Sequence, residues 1–147
     1  MFRFVGNSQH TIDAKGRMFL PAKHREQLNG KKTVVITRGM YDCLMVMPEE
    51  EWDKFLDGVS EQSFAEASAI TEYFVANASY SEIDSQGRIA IPSNLREEAH
   101  LDKDVSVVGL GKFMNVWDTE TWKARNTVSD TSREAMREAL SKNGFRF

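Results

Sequence analysis

Apolar and polar residues alternate in two short stretches of the chain, and this alternation predicts two β-strands. After Gly16 and after Gly87 every second side chain is apolar, the period expected of a strand with one buried face. The apolar positions are Met18 and Leu20 in the first stretch and Ile89 and Ile91 in the second. The intervening positions, which begin with Arg17 and Arg88, are expected to face solvent.

Each of these strands is predicted to lead into a helix and two further strands. Pro21 and Pro92 mark the helix starts, because proline is preorganised for the first helical position. Leu28 in one helix and Leu95 with Ala99 in the other supply an apolar stripe. The further strands are predicted over 33–37 and 43–47, and over 105–108 and 113–117.

Helices are also predicted after each set of strands. Pro48 opens one, and Asp118 caps another; Trp52 and Trp122 mark their apolar faces. The chain is expected to break at 58–60. A linking helix is predicted over 64–76; its apolar face, with Phe64, Ile70 and Phe74, is expected in the core, and the alternative is a subunit contact. A terminal helix is predicted to start in a capping box at 131–134 and to end before Asn143.

The two halves repeat one sequence pattern. Ile12-Asp13-Ala14-Lys15-Gly16-Arg17 recurs 71 positions later as Ile83-Asp84-Ser85-Gln86-Gly87-Arg88. Further along, Val35, Gly39 and Trp52 match Val105, Gly109 and Trp122 at an offset of 70, so one residue is expected to be missing near 29–32. The match predicts a duplicated unit.

A half of this size leaves too little core and open strand edges, so the two halves are expected to complete each other around a pseudo-two-fold. The predicted fold class is α+β, with tandem repeats forming a small β-barrel flanked by helices. The predicted boundaries are repeat 1 at 5–54, a helical linker at 55–80, repeat 2 at 81–124 and a C-terminal helix at 125–147.

Composition narrows the function classes. The lone Cys43 excludes an internal disulfide, and the three histidines do not show zinc-binding spacings. No stretch is long and apolar enough to span a membrane, so a cytoplasmic protein without metal or cofactor is expected. The formal net charge is −3, yet residues 1–40 hold eight Lys or Arg against two acids. Such a basic segment is typical either of a phosphate-binding face or of ordinary solvated surface.

The repeated Asp-x-x-Gly-Arg motif predicts a rigid turn that carries an arginine. Gly16 and Gly87 suit a positive φ, and the side chains of Asp13 and Asp84 can accept backbone N–H bonds two residues on. The following arginine presents a planar fork that fits phosphate oxygens or the O6/N7 edge of guanine. The alternative interpretation is an internal Arg–Asp pair that only staples the hairpin. Its occurrence in both halves, with Lys15 adjacent in the first, favours recognition.

The residues also resemble a known family. Asn7, Ile12-Asp13-x-Lys15-Gly16-Arg17, Leu20-Pro21-Ala22-Lys23-x-Arg25-Glu26-x-Leu28 and the second Asp84-x-x-Gly87-Arg88-Ile89-x-Ile91-Pro92 are similar to the MraZ family of the swapped-hairpin AbrB/SpoVT class. The resemblance implies a double-split swapped-hairpin barrel and a ring-shaped homo-oligomer. It also implies a nucleoid-associated regulator, expected to repress, that binds short direct repeats in double-stranded DNA ahead of its own gene and the division and cell-wall gene cluster.

The resemblance assigns DNA contact to four positions: Lys15, Arg17, Gln86 and Arg88. Two departures from the family pattern stand out: Gln86 is uncharged where Lys15 is basic, and His24 replaces an apolar residue. The uncharged Gln86 implies that the two turns contribute unequally to phosphate binding.

Other functions are weaker fits to the residues. Asp13 and Asp84 could pair as in a duplicated aspartic protease, but an arginine so close would keep both ionised, so no enzyme is expected. An antitoxin-like protein-interaction module on the same barrel stays open. The remaining candidates are expected to be structural: His24 packed at a boundary, His10 and His100 isolated on the surface, Cys43 buried and inert, and Trp52, Trp117 and Trp122 in the core.

Overall fold

A computed structural model describes residues 1–146, and in it the two halves have the same order of elements. The predicted C-terminal segment therefore extends one residue, 147, beyond the described part. The first half consists of β1 (Asn7–Thr11), β2 (Arg17–Phe19), α1 (Ala22–Gln27), β3 (Thr33–Arg38), β4 (Leu44–Pro48) and α2 (Glu49–Ser60). The linker is α3 (Phe64–Ile70), which continues as a π-helical turn (Thr71–Val75). The second half consists of β5 (Ser79–Glu82), β6 (Arg88–Ala90), α4 (Ser93–Glu98), β7 (Asp104–Gly109), β8 (Met114–Asp118) and α5 (Thr119–Arg125), followed by α6 (Asp130–Lys142).

The strands form two antiparallel sheets, and most pairings join one half to the other. The larger sheet has the order β1-β7-β8-β4-β3-β5, and β2 pairs with β6 in the smaller one. The first strand of each half therefore pairs with the third strand of the opposite half. Within one half only β3 pairs with β4, or β7 with β8, so each half has strand edges that the other half covers.

The core draws on both halves. Seventeen buried apolar side chains form one cluster, which includes Leu28, Leu95 and Ala99 of the predicted helical stripes. Strand β3 is buried on both faces because alternate residues enter different clusters. Val34 and Ile36 lie in the main cluster, whereas Val35 packs with Trp52 of α2. The predicted core role of Trp52 is confirmed.

The strand register shows that the second repeat lacks one residue in a different loop from the predicted one. Val34 pairs with Pro48 and Val105 with Asp118, so β3 corresponds to β7 at an offset of 71 while β4 corresponds to β8 at 70. The prediction of a deletion near 29–32 is wrong. The residue is lost in the hairpin loop, where Gly39 N–H donates to Cys43 O in one half and Leu110 N–H donates to Phe113 O in the other.

Two predicted helix boundaries are wrong. The break expected at 58–60 is absent because Gly58 lies inside α2, where the buried Val59 holds the last turn on the core. The terminal helix begins at Asp130 rather than at the predicted capping box. Ser129 Oγ accepts the N–H of Ser132 and thereby satisfies a free donor of the first turn.

Two side-chain placements also differ from expectation. Phe64 is 90% exposed rather than part of the core, because α3 packs through its later residues; Phe74 does contact the core beside Trp52. His10 is half-buried rather than isolated, and its imidazole Nε2 lies 2.8 Å from Ser8 Oγ. Burial lowers the pKa of His10, and the nearby His24 lowers it further.

His24 is buried in α1 instead of lying at a boundary. Its ring meets the edge of Phe4 at a centroid distance of 5.1 Å, and its Nε2 lies 3.4 Å from Val5 O. Among the described residues its buried Nδ1 has no hydrogen-bond partner. Burial lowers the pKa of His24, while the contact with Val5 opposes this. The second half places Leu95 at the equivalent position, so the site accepts an aliphatic side chain.

We expect His24→Leu to stabilise the protein in mild acid. A histidine whose folded-state pKa is lowered contributes stability above its ordinary pKa of about 6.5, and that stability is lost as the pH falls toward the folded value. Removing the unpaired buried nitrogen should raise the free energy of unfolding by about 1 kcal/mol at about pH 5.5 and by less at about pH 7.5. Urea unfolding at both pH values tests this; an equal effect at the two would exclude titration of His24. His10→Gln is the control, since it shows how much of the remaining pH dependence of the free energy of unfolding comes from His10.

Candidate nucleic-acid interface

The first Asp-x-x-Gly-Arg turn is closed by its aspartate. Asp13 Oδ1 accepts the backbone N–H groups of Lys15 and Arg17, both at 2.9 Å. Gly16 N–H donates to Asp13 O at 3.0 Å. Gly16 has a φ of +80°, a conformation that residues with a Cβ adopt at a cost. These three hydrogen bonds hold the loop in one shape.

The second turn repeats these contacts. Asp84 Oδ1 accepts the N–H groups of Gln86 and Arg88 at 2.9 Å, and Gly87 N–H donates to Asp84 O at 2.9 Å. Gly87 has a φ of +86°. The two loops therefore present their side chains in equivalent geometry, although they are separate in sequence.

Each turn arginine both staples its loop and offers a free edge. The Nε of Arg17 donates to Asp13 Oδ2 at 2.8 Å, and Arg88 contacts Asp84 at the same distance. Within residues 1–146, the Nη groups of both guanidinium ions donate no hydrogen bond to protein. Their side chains are 31% and 19% exposed. One arginine side chain can therefore hold its turn through Nε and still offer its Nη groups to an external acceptor.

The aspartates are held ionised by these contacts. The backbone N–H of Arg17 is the main cause that lowers the pKa of Asp13, and its guanidinium adds to the effect. The backbone N–H of Arg88 lowers the pKa of Asp84 in the same way. Two carboxylates that both favour ionisation do not share a proton, so the arrangement lacks the acid–base pair of an aspartic protease.

The antiparallel pairing of β2 with β6 places the two turns at opposite ends of one short ladder. Arg17 faces Ala90 and Phe19 faces Arg88 across the ladder, so these four side chains share one face. Met18 and Ile89 point the other way and are buried, which confirms the predicted alternation. Arg17 and Arg88 are diagonal neighbours on this face, with Cα atoms roughly 7–8 Å apart. The guanidinium of Arg88 also lies 6.0 Å from the centre of the Phe19 ring.

An arginine from the opposite half crosses each turn, and the sequence pattern alone does not indicate this. Arg25 lies against Gly87, and Arg96 lies 3.0 Å from the position that a Cβ on Gly16 would take. Each of these arginines donates from Nε to a carbonyl of its own half, Leu20 O or Ile91 O. The available signal was their equal spacing, eight residues after each turn arginine.

Backbone hydrogen bonds complete the cross-connection. Leu20 N–H donates to Gly87 O at 3.0 Å, and Ile91 N–H donates to Gly16 O at 2.9 Å. Each turn is thus fixed by a strand and a helix of the other half. The glycines serve two purposes: they permit the positive φ, and they leave space for the crossing guanidinium groups.

The other candidate residues are structural in this fold. Burial raises the pKa of the Cys43 thiol to about 11, so the reactive thiolate is scarce at neutral pH. Trp117 is buried beside it and Trp122 is half-buried. His100 is exposed, as predicted, in a left-handed turn with a φ of +54°.

The described residues contain neither a metal-binding cluster nor a membrane-spanning helix. No cluster of three or more His, Cys, Asp or Glu side chains is arranged to hold a metal ion in residues 1–146. In the same part of the chain, every helix is too short or too polar to cross a membrane.

Comparison with known proteins identifies the family. The model of a family described as "MraZ protein, putative antitoxin-like" matches residues 3–72 and again residues 74–143. A "Transcriptional regulator MraZ" from Heliobacterium modesticaldum is 40% identical over 139 residues, which cover 93% of this chain and 96% of the relative. Proteins of the same name from Desulforamulus reducens and a Thermoanaerobacter species are 39% and 41% identical, covering 93% and 92% of this chain and 96% and 95% of the relatives.

A solved structure from Pyrococcus horikoshii aligns with 75% of this chain and 94% of its own, at 14% identity and a TM-score of 0.36, a likeness too low to define the fold. The family assignment depends instead on sequence identity along nearly the whole chain and on a family model that matches each half. On these matches, the chain belongs to the MraZ family of transcriptional regulators.

Proposed function

We propose that this chain binds double-stranded DNA in a sequence-specific manner through its two Asp-x-x-Gly-Arg turns and so regulates transcription. The observation that carries the proposal is the antiparallel β2–β6 pairing, which sets Arg17 and Arg88 on one solvent-facing surface. Their Nε atoms are used internally, and their Nη edges remain for an external acceptor. The expected targets are short direct repeats ahead of the chain's own gene and the division and cell-wall gene cluster, with repression as the expected effect.

The chemistry of this surface suits DNA. A guanidinium fork can donate two parallel hydrogen bonds to guanine O6 and N7 or to a phosphate. Lys15 and Gln86, both exposed at the loop tips, extend the surface on either side as a cation and an amide. The rigid loops lower the entropy cost of binding because the arginines are already held in place.

Assembly supplies what one subunit lacks. Two short turns reach only a few base pairs, so we propose a ring-shaped homo-oligomer of double-split, swapped-hairpin barrels that engages several direct repeats at once. Exposed apolar side chains support self-association: Phe64 is 90% exposed, and α6 exposes Met136, Leu140 and the following Phe145. The proposed location is the cytoplasm, in association with the nucleoid.

The decisive experiment is a footprint on the DNA upstream of the gene that encodes this chain. Protected segments should recur at a fixed spacing, and protection should weaken steeply between about 50 and 200 mM salt. A shuffled duplex of equal length should show no recurring pattern. The alternative, an antitoxin-like module that binds a protein, is favoured if no segment is protected and an oligomer of intact size captures a partner with little dependence on salt.

A further inference from the structure

Basic residues of the first half lie beside the second turn. Ile83 N–H, at the entry to that turn, donates to Lys32 O at 2.6 Å. Arg25 lies against Gly87. Together with Lys31 these residues line an open surface pocket whose other wall includes Asp84 and Ser85. The side chains around the second turn therefore come from both halves.

The first turn has a different set of neighbours. Ile12 N–H donates to Lys103 O at 2.8 Å, which makes Lys103 the counterpart of Lys32. Arg96 is the counterpart of Arg25, and both lie against the glycine of the opposite turn. One position before Lys103 and Lys32, however, the chain has Asp102 in the second half and Lys31 in the first.

This exchange offsets a difference within the turns themselves. The first turn has its own cation, Lys15, but its counterpart of Lys31 is the acidic Asp102 of the second half. The second turn has the neutral Gln86, but the first half places an additional cation, Lys31, beside it. Because the two halves are cross-connected, charge that the second repeat lacks in sequence is supplied in space by the first.

The cations of this site have few ion-pair partners, although Glu49, Glu50 and Asp53 line a neighbouring pocket with Lys31 and Lys32. Among the described residues Arg25 and Lys32 form no ion pair, and Lys31 lies 3.8 Å from Glu50 with its side chain 66% exposed. Exposed pairs of this kind contribute at most about 1 kcal/mol. Lys31 is therefore free to turn toward an external anion without losing a strong internal partner.

We propose that Arg25, Lys31 and Lys32 form a phosphate-binding site beside the second turn, which holds the DNA backbone while Arg88 contacts the base edges. This assignment rests on the proposed DNA-binding function and adds residues that it does not include. The second turn then binds phosphate through the first repeat, so the uncharged Gln86 does not make it the weaker half. A sugar-phosphate backbone is the occupant because the site places cations beside the exposed turn that carries Arg88, the proposed DNA contact.

The test uses Lys31→Ala in the full-length oligomer, with binding measured by fluorescence anisotropy over a salt series. The probes are the duplex upstream of the chain's own gene and a shuffled duplex of equal length. Loss of one phosphate contact should lower the slope of log affinity against log salt by about 0.9 for each engaged subunit, or about eightfold in affinity per contact at about 0.1 M salt. The loss should be equal for both duplexes, because phosphate carries no sequence information.

Two variants separate this role from a general charge effect. Lys31→Ala combined with Gln86→Lys returns a cation to the same turn and should recover the wild-type slope. Lys112→Ala removes an equal charge at the β7–β8 loop, the opposite end of that hairpin from Lys103, and should leave the slope nearly unchanged. The thermal midpoint should change little in all three, since the ion pair that Lys31 loses with Glu50 is exposed and its N–H bond to Leu28 O does not involve its side chain.

The outcomes distinguish this site from the function on which it rests. A wild-type slope in Lys31→Ala, while Arg88→Ala still weakens binding, would overturn the phosphate site alone. Failure of Gln86→Lys to rescue would also overturn it. If the wild-type protein does not prefer the upstream duplex, the sequence-specific function is wrong, and the slope on the shuffled duplex still decides the site. Absence of binding to either duplex would remove both.

Discussion

Replacing both Arg17 and Arg88 with alanine is expected to weaken binding to the upstream DNA by about a thousandfold, against about tenfold for either single change. A bidentate arginine contact to guanine provides about 1–3 kcal/mol of discrimination. The double change removes both contacts from every subunit of the oligomer, so the loss exceeds the product of the single effects. Gel shifts at one fixed salt concentration, with subunit number checked by size-exclusion chromatography, measure the effect.

Two matched variants test what the arginines do. Arg17→Lys with Arg88→Lys keeps the charge but loses the planar fork, so it should retain binding to a shuffled duplex while losing preference for the upstream sequence. Arg133→Ala with Arg137→Ala removes two arginines from the exposed α6 and should leave that preference intact. A double Arg17/Arg88 alanine variant that binds like wild type, with its oligomer intact, would exclude both arginines from recognition.

The local geometry around these arginines was predictable because it depends on neighbouring residues. The alternation after Gly16 places Met18 on the buried face, and the pair of glycines adopts the positive φ that the turn pattern indicates. Periodicity and turn chemistry act over a few positions, so a single sequence is enough to predict them. The repeat then predicts that the second turn has the same shape.

The register of the repeat was not predictable, because one pair of identical residues occupies positions that are not equivalent in the fold. Gly39 and Gly109 match at an offset of 70, yet they are not equivalent in the fold. A Cβ on Gly39 would collide with Cys43 of its own hairpin, whereas a Cβ on Gly109 would meet the backbone of the N-terminal segment. In the strand pairings Arg38 faces Leu44, and Gly109 faces Met114, the residue equivalent to Leu44. Gly109 therefore corresponds to Arg38 and not to Gly39.

The crossing arginines escaped prediction for a related reason. Arg25 and Arg96 were visible as a repeated position, but their contacts depend on which half each turn packs against. That choice is made by pairings between distant strands, and a sequence pattern carries no record of them. Burial of His24 likewise depends on Phe4, which reaches α1 only because the N-terminal segment docks on the second half.

This docking depends on a close approach at Gly109. Phe4 and Gly111 exchange both backbone N–H···O bonds at 2.8 Å, and Gly109 N–H donates to Gly6 O at 2.8 Å. A Cβ on Gly109 would lie 2.5 Å from the Phe4 carbonyl carbon and 2.5 Å from the Val5 nitrogen. Backbone atoms cannot rotate aside as the end of a side chain can, so the segment itself must move.

Gly109→Ala is therefore expected to lower the free energy of unfolding by about 3–5 kcal/mol, the range for losing a buried phenylalanine, because displacing the segment withdraws the fully buried Phe4 from the core. Gly111→Ala is the matched control. It lies on the same segment contact and has a φ of +85°, but open space surrounds its Cβ position, so only backbone strain of about 1–2 kcal/mol is expected. Urea unfolding compares the two. An equal cost would mean that the N-terminal segment does not need the close approach at Gly109.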